Sequence, residues 1–200
     1  MAQLTLSAEN KKVLEQLGHH LTEIALKYGE FMALYKTNVS TIQATAPVFI
    51  NLAGECIFND LLLSFQRLCD PAKMRGKDNL TFEFLAAAIS EPEKTQYLGK
   101  LNALKATLAP VEMWRHKRGA HNDLLHALGK VQLPPIEYAR IKTAIREASD
   151  LLNTVNTWLD EPHTRYYEVS VNNGAETLLL YLQWGKKWAD AEFGGPDHQA

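Results

Sequence analysis

The chain has 200 residues, of which 46% are hydrophobic and 22% charged, and its formal net charge is −2. This length provides one domain with a sizeable core, and the composition is that of a soluble globular protein, which excludes a disordered or fibrous chain. The opening residues, MAQLTLSAEN, lack a basic segment followed by an apolar one, so they predict no signal peptide. The uncharged apolar runs FLAAAI and TLLLYLQW are too short to cross a bilayer, so no membrane contact is expected.

The two cysteines indicate a reducing compartment. Cys56 and Cys69 both fall within or at the end of a predicted helix. We therefore expect buried or half-buried free thiols and a cytoplasmic location.

Two long helices are predicted at the start of the chain by apolar residues that recur at steps of three and four. The first follows Ser7, a predicted N-cap, and its apolar stripe comprises Leu14, Leu17, Leu21, Ile24, Tyr28, Phe31 and Tyr35. The second has Pro47 in its first turn, and its stripe comprises Ile50, Gly54, Ile57, Leu61, Phe65 and Leu68.

The middle of the chain opens with DPAKMRGKDN, which predicts a turn-rich basic loop. Thr81 is expected to cap the short helix that follows, FEFLAAAI. Ser90 and Glu93 are expected to form a capping box for the next helix. Pro110 should end that helix after about Ala109.

Three more helices are predicted after Pro110. One reaches Gly129, another carries the stripe from Ile141 to Leu159, and the last is AETLLLYLQWGKKW. The segment TRYYEVSV predicts an extended connector, and residues 194–200 a disordered tail. We expect one all-α domain over residues 1–193, a bundle of long antiparallel amphipathic helices.

The segment EMWRHKRGAHND, residues 112–123, gathers three permanent cations and two histidines. Arg115 and His121 are six positions apart, which separates them by about 120° around an ideal helix. Three arrangements would let an arginine and His121 contact the same small target. The backbone could bend at Gly119, Arg118 could take the place of Arg115, or a second copy of the chain could supply one of the two side chains.

Basic residues cluster in two short segments, 73–77 and 115–118. Six of the 21 lie there: Lys73, Arg75, Lys77, Arg115, Lys117 and Arg118. The other 15 are outnumbered by 23 acidic residues, and such segregation directs a polyanion such as RNA to one face. The alternative is a solvated surface, which is the usual meaning of a charge run.

Several of these residues resemble the HEPN superfamily. RHKRGAHND is similar to its signature, an arginine with a polar residue directly after it and a histidine after a short spacer. LLLSFQRLCDPAKMRGKDNLTFEFL resembles the abortive-infection (AbiU-type) branch, and AETLLLYL resembles the closing helix of that branch. The resemblance extends over most of residues 40–185.

The resemblance implies an all-α, often dimeric fold and, in many members, a metal-independent endoribonuclease. It implies that Arg115 and His121 are the catalytic pair, with His116 as an auxiliary. Arginine would bind phosphate oxygens and histidine would transfer protons near pH 7, while the choice between acid and base for His121 stays open. Further RNA contacts are expected from Lys117, Arg118, Asn122, Lys73, Arg75 and Lys77.

The resemblance also implies partners and alternatives. The expected partners are RNA, a second copy of the chain and an antitoxin, in prokaryotic defence or a toxin–antitoxin system. Some HEPN toxins have a tyrosine two residues after the histidine, but Asp123 stands there, so modification of that tyrosine is not implied. The alternatives are a non-catalytic HEPN module that binds RNA or a nucleotide, and a structural oligomerising protein.

The remaining histidines and tryptophans suggest no other site. His116, His121 and His126 step by five, so each is about 140° from the last and they share no ligand face. We predict neither a metal nor a cofactor. Trp184 and Trp188 lie four apart, which favours packing in the core or in a dimer over base stacking.

Overall fold

The computed structural model describes residues 4–36, 39–114, 130, 132, 135–169 and 172–194. In these ranges the chain forms seven α-helices and one two-stranded hairpin, which confirms the all-α prediction. The helices are α1 (Ala8–Lys36), α2 (Val39–Thr45), α3 (Pro47–Cys69), α4 (Phe82–Ala87), α5 (Glu93–Trp114), α6 (Tyr138–Trp158) and α7 (Ala175–Phe193). The strands are β1 (Lys73–Met74) and β2 (Lys77–Asp78).

Local sequence signals set the starts of three helices as predicted. Ser7 Oγ accepts a hydrogen bond from the Asn10 amide at 3.2 Å. Thr81 Oγ1 accepts one from the Phe84 amide at 3.2 Å. Pro47 is the first residue of α3, where its missing N–H leaves no intrahelical bond unmade.

The start of α5 uses a different cap from the predicted Ser90–Glu93 pair. The Glu91 carboxylate accepts hydrogen bonds from the Thr95 amide at 3.2 Å and from Thr95 Oγ1 at 2.7 Å. The longer side chain of Glu91 thereby satisfies an N–H group that has no partner within the helix.

The end of α5 also differs from the prediction, because the helix continues through Pro110 to Trp114. A proline inside a helix costs about 3 kcal/mol. Leu108 and Val111 are both buried, and burial of each such side chain contributes about 1.5–3 kcal/mol. Packing on both sides of Pro110 therefore offsets the cost, and the prediction of a stop after Ala109 is wrong.

The chain forms two compact units. The first comprises Met1–Ala25 and Leu61–Val169, and the second comprises Leu26–Asp60 and Ser170–Ala200. Helices α1 and α3 each contribute residues to both units. The single domain over residues 1–193 stays a prediction, and residues 195–200 of the predicted tail lie outside the described ranges.

The core of the first unit is built by predicted helix stripes. Helix α5 packs against α6 and against α4. The apolar side chains of these stripes that lie in the first unit are fully or almost fully buried. They are Leu14, Leu17, Leu21, Ile24, Leu61, Phe65, Leu68, Ile141, Ile145, Ala148, Leu152 and Val155. Tyr97 of α5 is also buried, and its hydroxyl donates to the Phe82 carbonyl oxygen at 3.2 Å.

Glu83 joins three parts of the first unit that are separated in sequence. One oxygen of its carboxylate accepts a short hydrogen bond from Lys105 Nζ on α5. The other accepts from the Ala72 amide at 3.3 Å, directly before β1. The Asn79 amide donates to the Ala72 carbonyl at 2.8 Å and closes the base of the hairpin. Glu83 therefore fixes the hairpin against α5.

The second unit has its own small core. It is formed by Leu34, Ile42, Ile50, Ala175 and Leu179. The Glu30 carboxylate accepts a hydrogen bond from the Ala175 amide at 2.6 Å, so a residue of α1 caps the start of α7. Gly54 is required on α3, because a Cβ there would overlap the Tyr35 ring.

Several large side chains of the second unit are exposed. Trp184 is 54% and Trp188 63% exposed, so the prediction of packing in the core is wrong for both, and packing in a dimer stays a prediction. They continue the row begun by Tyr181, whose ring meets that of Trp184 at 5.8 Å. Val48, Phe49 and Leu52 of α3 are exposed as well. Cys56 is exposed rather than buried, because it lies off the apolar stripe of α3.

Among the described helices, α3 alone is long and apolar enough to cross a bilayer, and the mean hydropathy of its most apolar 18-residue stretch is 1.4. Only 28% of that stretch is buried within the chain. A single helix of this kind is weak evidence of a membrane span, since interior helices of soluble proteins share its length and hydropathy. Uncharged runs in the sequence do not indicate α3 as a candidate span, because Glu55 and Asp60 interrupt its apolar residues.

The hydrogen bonds that Glu83 accepts from Lys105 and from the Ala72 amide, here called the Glu83 joint, predict a loss of stability at low pH. The hydrogen bond from Lys105 lowers the pKa of Glu83, and burial opposes this less strongly. Its contribution is therefore present above the unfolded pKa of about 4.3 and is lost as the pH falls through the folded pKa. We expect Glu83→Gln to lower the free energy of unfolding at neutral pH by about 1 kcal/mol or less, measured by urea denaturation.

The same experiment at low pH tests the cause. The difference between Glu83→Gln and the wild type should shrink as the pH falls below the unfolded pKa of about 4.3, and it should disappear below the lower pKa of folded Glu83, where the wild-type carboxylate is protonated in both states. Glu55→Gln, at an exposed position of α3, should behave like the wild type throughout. A difference for Glu83→Gln that is independent of pH would contradict the ionic role.

Candidate functional site

The basic loop forms a tight hairpin rather than an irregular turn. Lys73 pairs with Asp78, and Met74 pairs with Lys77, in antiparallel register. The two turn residues, Arg75 and Gly76, have φ values of 50° and 79°. Two successive positive φ values are typical of the two-residue hairpin turn that matches strand twist, and Gly76 adopts its value without a steric cost.

The hairpin divides its cations between two faces. The side chains of two residues directly opposite each other lie on the same face of the hairpin, and successive side chains along one strand lie on alternate faces. Lys73 therefore shares one face with Asp78, whereas Lys77 shares the other with Met74. Lys73, Arg75 and Lys77 are all exposed. The charge of Lys73 is partly offset by Asp78, so Lys77 and Arg75 are the stronger candidates for a polyanion contact.

The predicted catalytic residues lie outside the described ranges. These are Arg115 and His121, together with the predicted auxiliary residues His116, Lys117, Arg118 and Asn122. Helix α5 ends at Trp114, which directly precedes Arg115 in the sequence. The assigned roles of these six residues stay predictions.

A cavity of about 260 Å³ separates the end of α3 from α5. Its walls include Gln66, Cys69, Asp70 and Pro71 from the end of α3 and the turn after it. Lys105, Leu108 and Glu112 of α5 also line it. The cavity thus brings the RLCDP segment, which carried part of the resemblance, against the helix that leads to Arg115.

Gln66 is the residue of this cavity that the sequence analysis missed. Its side chain is buried, and neither its amide nitrogen nor its amide oxygen has a hydrogen-bond partner within the described part of the chain. A signal was available, because Gln66 lies one helical turn after the buried Leu62 and so places a polar residue at a core position.

The Cys69 thiol in the same cavity is unreactive as a nucleophile near neutral pH. Burial raises the pKa of Cys69 to about 12, while the positive charge of Lys105 acts in the opposite direction. The thiol therefore stays protonated near neutral pH, and a protonated thiol is a weak nucleophile. Hydrogen bonding and charge, rather than covalent catalysis, are what this cavity can offer a ligand.

Metal ligands are not clustered in the part of the chain that the structure describes. No group of three or more histidine, cysteine, aspartate or glutamate side chains is placed to hold an ion there. The cavity has two carboxylates from Asp70 and Glu112, but Lys105 stands beside them.

Comparison with known proteins identifies the family. The model of the AbiU2 family of HEPN proteins matches residues 8–178. This range contains both the RLCDP segment and the segment with Arg115 and His121. No curated protein and no solved structure matches the chain. Because the family match covers well over half of the sequence, the chain belongs to the AbiU2 family, in the abortive-infection branch of the HEPN superfamily.

Proposed function

We propose that this protein is a metal-independent endoribonuclease of prokaryotic defence, in which Arg115 and His121 act on an RNA phosphodiester. The observation that carries the proposal is the family match over residues 8–178, a range that includes Arg115 and His121, whose spacing resembles the HEPN signature. A cytoplasmic location and an antitoxin that restrains the activity belong to the same proposal.

Arginine and histidine suit a reaction in which the 2′-OH of the RNA is the nucleophile. The ribose 2′-OH attacks the neighbouring phosphorus, its proton passes to a base, and the 5′-oxygen leaves with a proton from an acid. The products carry a 2′,3′-cyclic phosphate and a 5′-hydroxyl. Histidine exchanges protons near neutral pH, and the arginine guanidinium stabilises the charge that develops on the phosphate oxygens.

A homodimer would supply both proton-transfer groups, because two copies of His121 meet at one composite site. Exposed apolar side chains of the second unit support self-association. Tyr181, Trp184 and Trp188 form a row along α7, and aromatic residues are enriched in protein interfaces.

The catalytic role predicts the effect of His121→Ala. Cleavage of RNA in the presence of a metal chelator should fall by at least about 10²-fold, because general acid–base catalysis is lost. The measurement is product analysis on a denaturing gel, with the cyclic phosphate identified by mass. An unchanged circular dichroism spectrum shows that the fold survives.

Two controls accompany this experiment. His19→Ala removes an exposed histidine of α1 and should leave cleavage intact. A substrate with a 2′-deoxy sugar at the cleavage position should resist the wild type, since it lacks the nucleophile. Cleavage retained by purified His121→Ala would overturn the assigned role.

The hairpin predicts unequal contributions from two lysines of the same element. Lys77→Gln should weaken RNA binding and lower the slope of log affinity against log salt by about 0.7, the value for one phosphate contact on a single strand. Lys73→Gln should have a smaller effect, because Asp78 lies opposite Lys73. Fluorescence anisotropy at several salt concentrations measures both variants, and equal effects would contradict the proposed contact face.

The dimer proposal predicts a change of mass in solution. Trp184→Ser combined with Trp188→Ser should convert a dimer into a monomer, as measured by light scattering after size exclusion. Tyr138→Ser, an exposed aromatic residue of the first unit, should leave the dimer unchanged. A wild-type chain that is monomeric at micromolar concentration, or a double variant that remains dimeric, would overturn the proposed interface.

A further inference from the structure

The segment that follows α6, residues 161–168 and here called the strap, is held by side chains of other elements. Asn153 of α6 pairs with its backbone at one residue. The Asn153 amide nitrogen donates to the Thr164 carbonyl oxygen at 2.9 Å, and the Asn153 amide oxygen accepts from the Thr164 amide at 2.9 Å. One side chain thus satisfies both backbone groups of Thr164, as a residue of a paired antiparallel strand does.

Buried polar neighbours on α6 orient the Asn153 amide. Its nitrogen also donates to Ser149 Oγ at 3.5 Å, and its oxygen also accepts from Asn156 Nδ2 at 3.3 Å. Ser149 is fully buried, and only 5% of Asn156 is exposed. Side chains whose orientation is fixed by such a network are preorganised for the partner that they bind. Asn153 is therefore preorganised to pair with a peptide backbone.

A notch in α1 receives a tyrosine ring of the strap. The Tyr166 ring lies over Gly18, where a Cβ would come within 2.8 Å of a ring carbon. The next ring of the strap, that of Tyr167, has its centroid 5.8 Å from Cζ of Arg146. In peptide recognition, backbone hydrogen bonds provide affinity and side-chain pockets provide specificity. The notch thus selects an aromatic residue two positions after the residue whose backbone Asn153 holds.

The strap contributes little to the apolar core of the first unit. Within residues 161–168 only Tyr166 is half-buried, and every other residue is exposed. The other contacts of the strap include an ion pair between Lys11 and Glu161 at 3.2 Å, in which both side chains are exposed. Segments with few buried apolar contacts open at a low cost in free energy. Opening of the strap therefore removes little apolar burial.

We infer that Gly18 of α1 and Asn153 of α6 form a docking site for an extended peptide of a partner protein, and that the strap occupies this site within its own chain. The strap shows which peptide fits. It has a free N–H and carbonyl for Asn153 and an aromatic side chain two residues later for the notch. The inference goes beyond the proposed function, because docking requires neither Arg115 nor His121.

The test is fluorescence anisotropy of a labelled peptide with the strap sequence, EPHTRYYE, titrated with the full chain. In the wild type the tethered strap competes at an effective concentration on the order of millimolar, so weak binding is expected. Thr164→Pro combined with Tyr166→Ala removes a backbone donor and the ring from the strap. This opened variant should bind the peptide at least about tenfold more tightly than the wild type.

Tyr166→Ala alone is a second opened variant, which keeps the strap backbone and changes one half-buried side chain. It decides the test if the circular dichroism spectrum shows that the double variant has lost its helices. Absence of saturable binding to the folded opened variant at about millimolar peptide, the effective concentration of a tethered segment, overturns the proposal.

Two changes in the docking site test its contacts in the opened variant. Asn153→Leu removes both bonds to the peptide backbone, so the dissociation constant should rise by about tenfold or more. Asn102→Leu, at an exposed position of α5, is the matched control and should leave the affinity unchanged. Gly18→Ala fills the notch with a residue that favours the helix, so it should exclude the peptide and retain the fold.

A second peptide separates specific docking from general adhesion. The same peptide with Tyr166→Ala lacks the ring for the notch and should bind the opened variant at least about tenfold more weakly. Equal binding of the two peptides, or an affinity that neither Asn153→Leu nor Gly18→Ala lowers, overturns the assignment of this site. RNA cleavage is measured separately, so failure of the nuclease proposal leaves this result intact.

Discussion

The bridge formed by Glu83 determines how the first unit is assembled around its cavity. A single carboxylate accepts from the Lys105 ammonium and from the Ala72 amide, so one side chain joins the turn after α3 to α4 and α5. Charge-assisted hydrogen bonds of this kind have stricter geometry than an isolated surface ion pair. The joint therefore holds the start of the hairpin and α5, which forms one wall of the cavity, against α4.

The cavity that results has a composition that stability alone does not explain. An apolar side chain at position 66 would suit the surrounding core better than an amide without partners. Local features that lower stability are common at functional sites, where a ligand completes the interactions. The Cys69 thiol does not share this character, because burial keeps it protonated.

The described chain presents different surfaces in its two units. The first unit carries an exposed basic hairpin, whose register directs Lys77 and Lys73 to opposite faces. The second unit carries an exposed aromatic row on α7. A cationic hairpin suits the phosphate backbone of RNA, whereas exposed aromatic side chains suit a protein partner. In the proposed nuclease, the hairpin would therefore contact the RNA, and the aromatic row would contact a second copy of the chain.

The sequence by itself determined most of the helices and their apolar stripes, the caps at Ser7 and Thr81, and the helix start at Pro47, because these depend on residues a few positions apart. The RLCDP segment and the arginine–histidine pattern also predicted the family, and the match over residues 8–178 confirmed that prediction. The signature residues themselves lie outside the described ranges, and their roles stay predictions.

Tertiary structure decided what depends on contacts between distant residues. Burial of Leu108 and Val111 carries α5 through Pro110, and Glu30 caps α7 from another helix. The exposure of Trp184 could not be predicted from helical spacing, since spacing defines a face without showing what covers it. The cavity at Gln66 has the same origin, because whether a buried amide finds a partner depends on which helix packs against it.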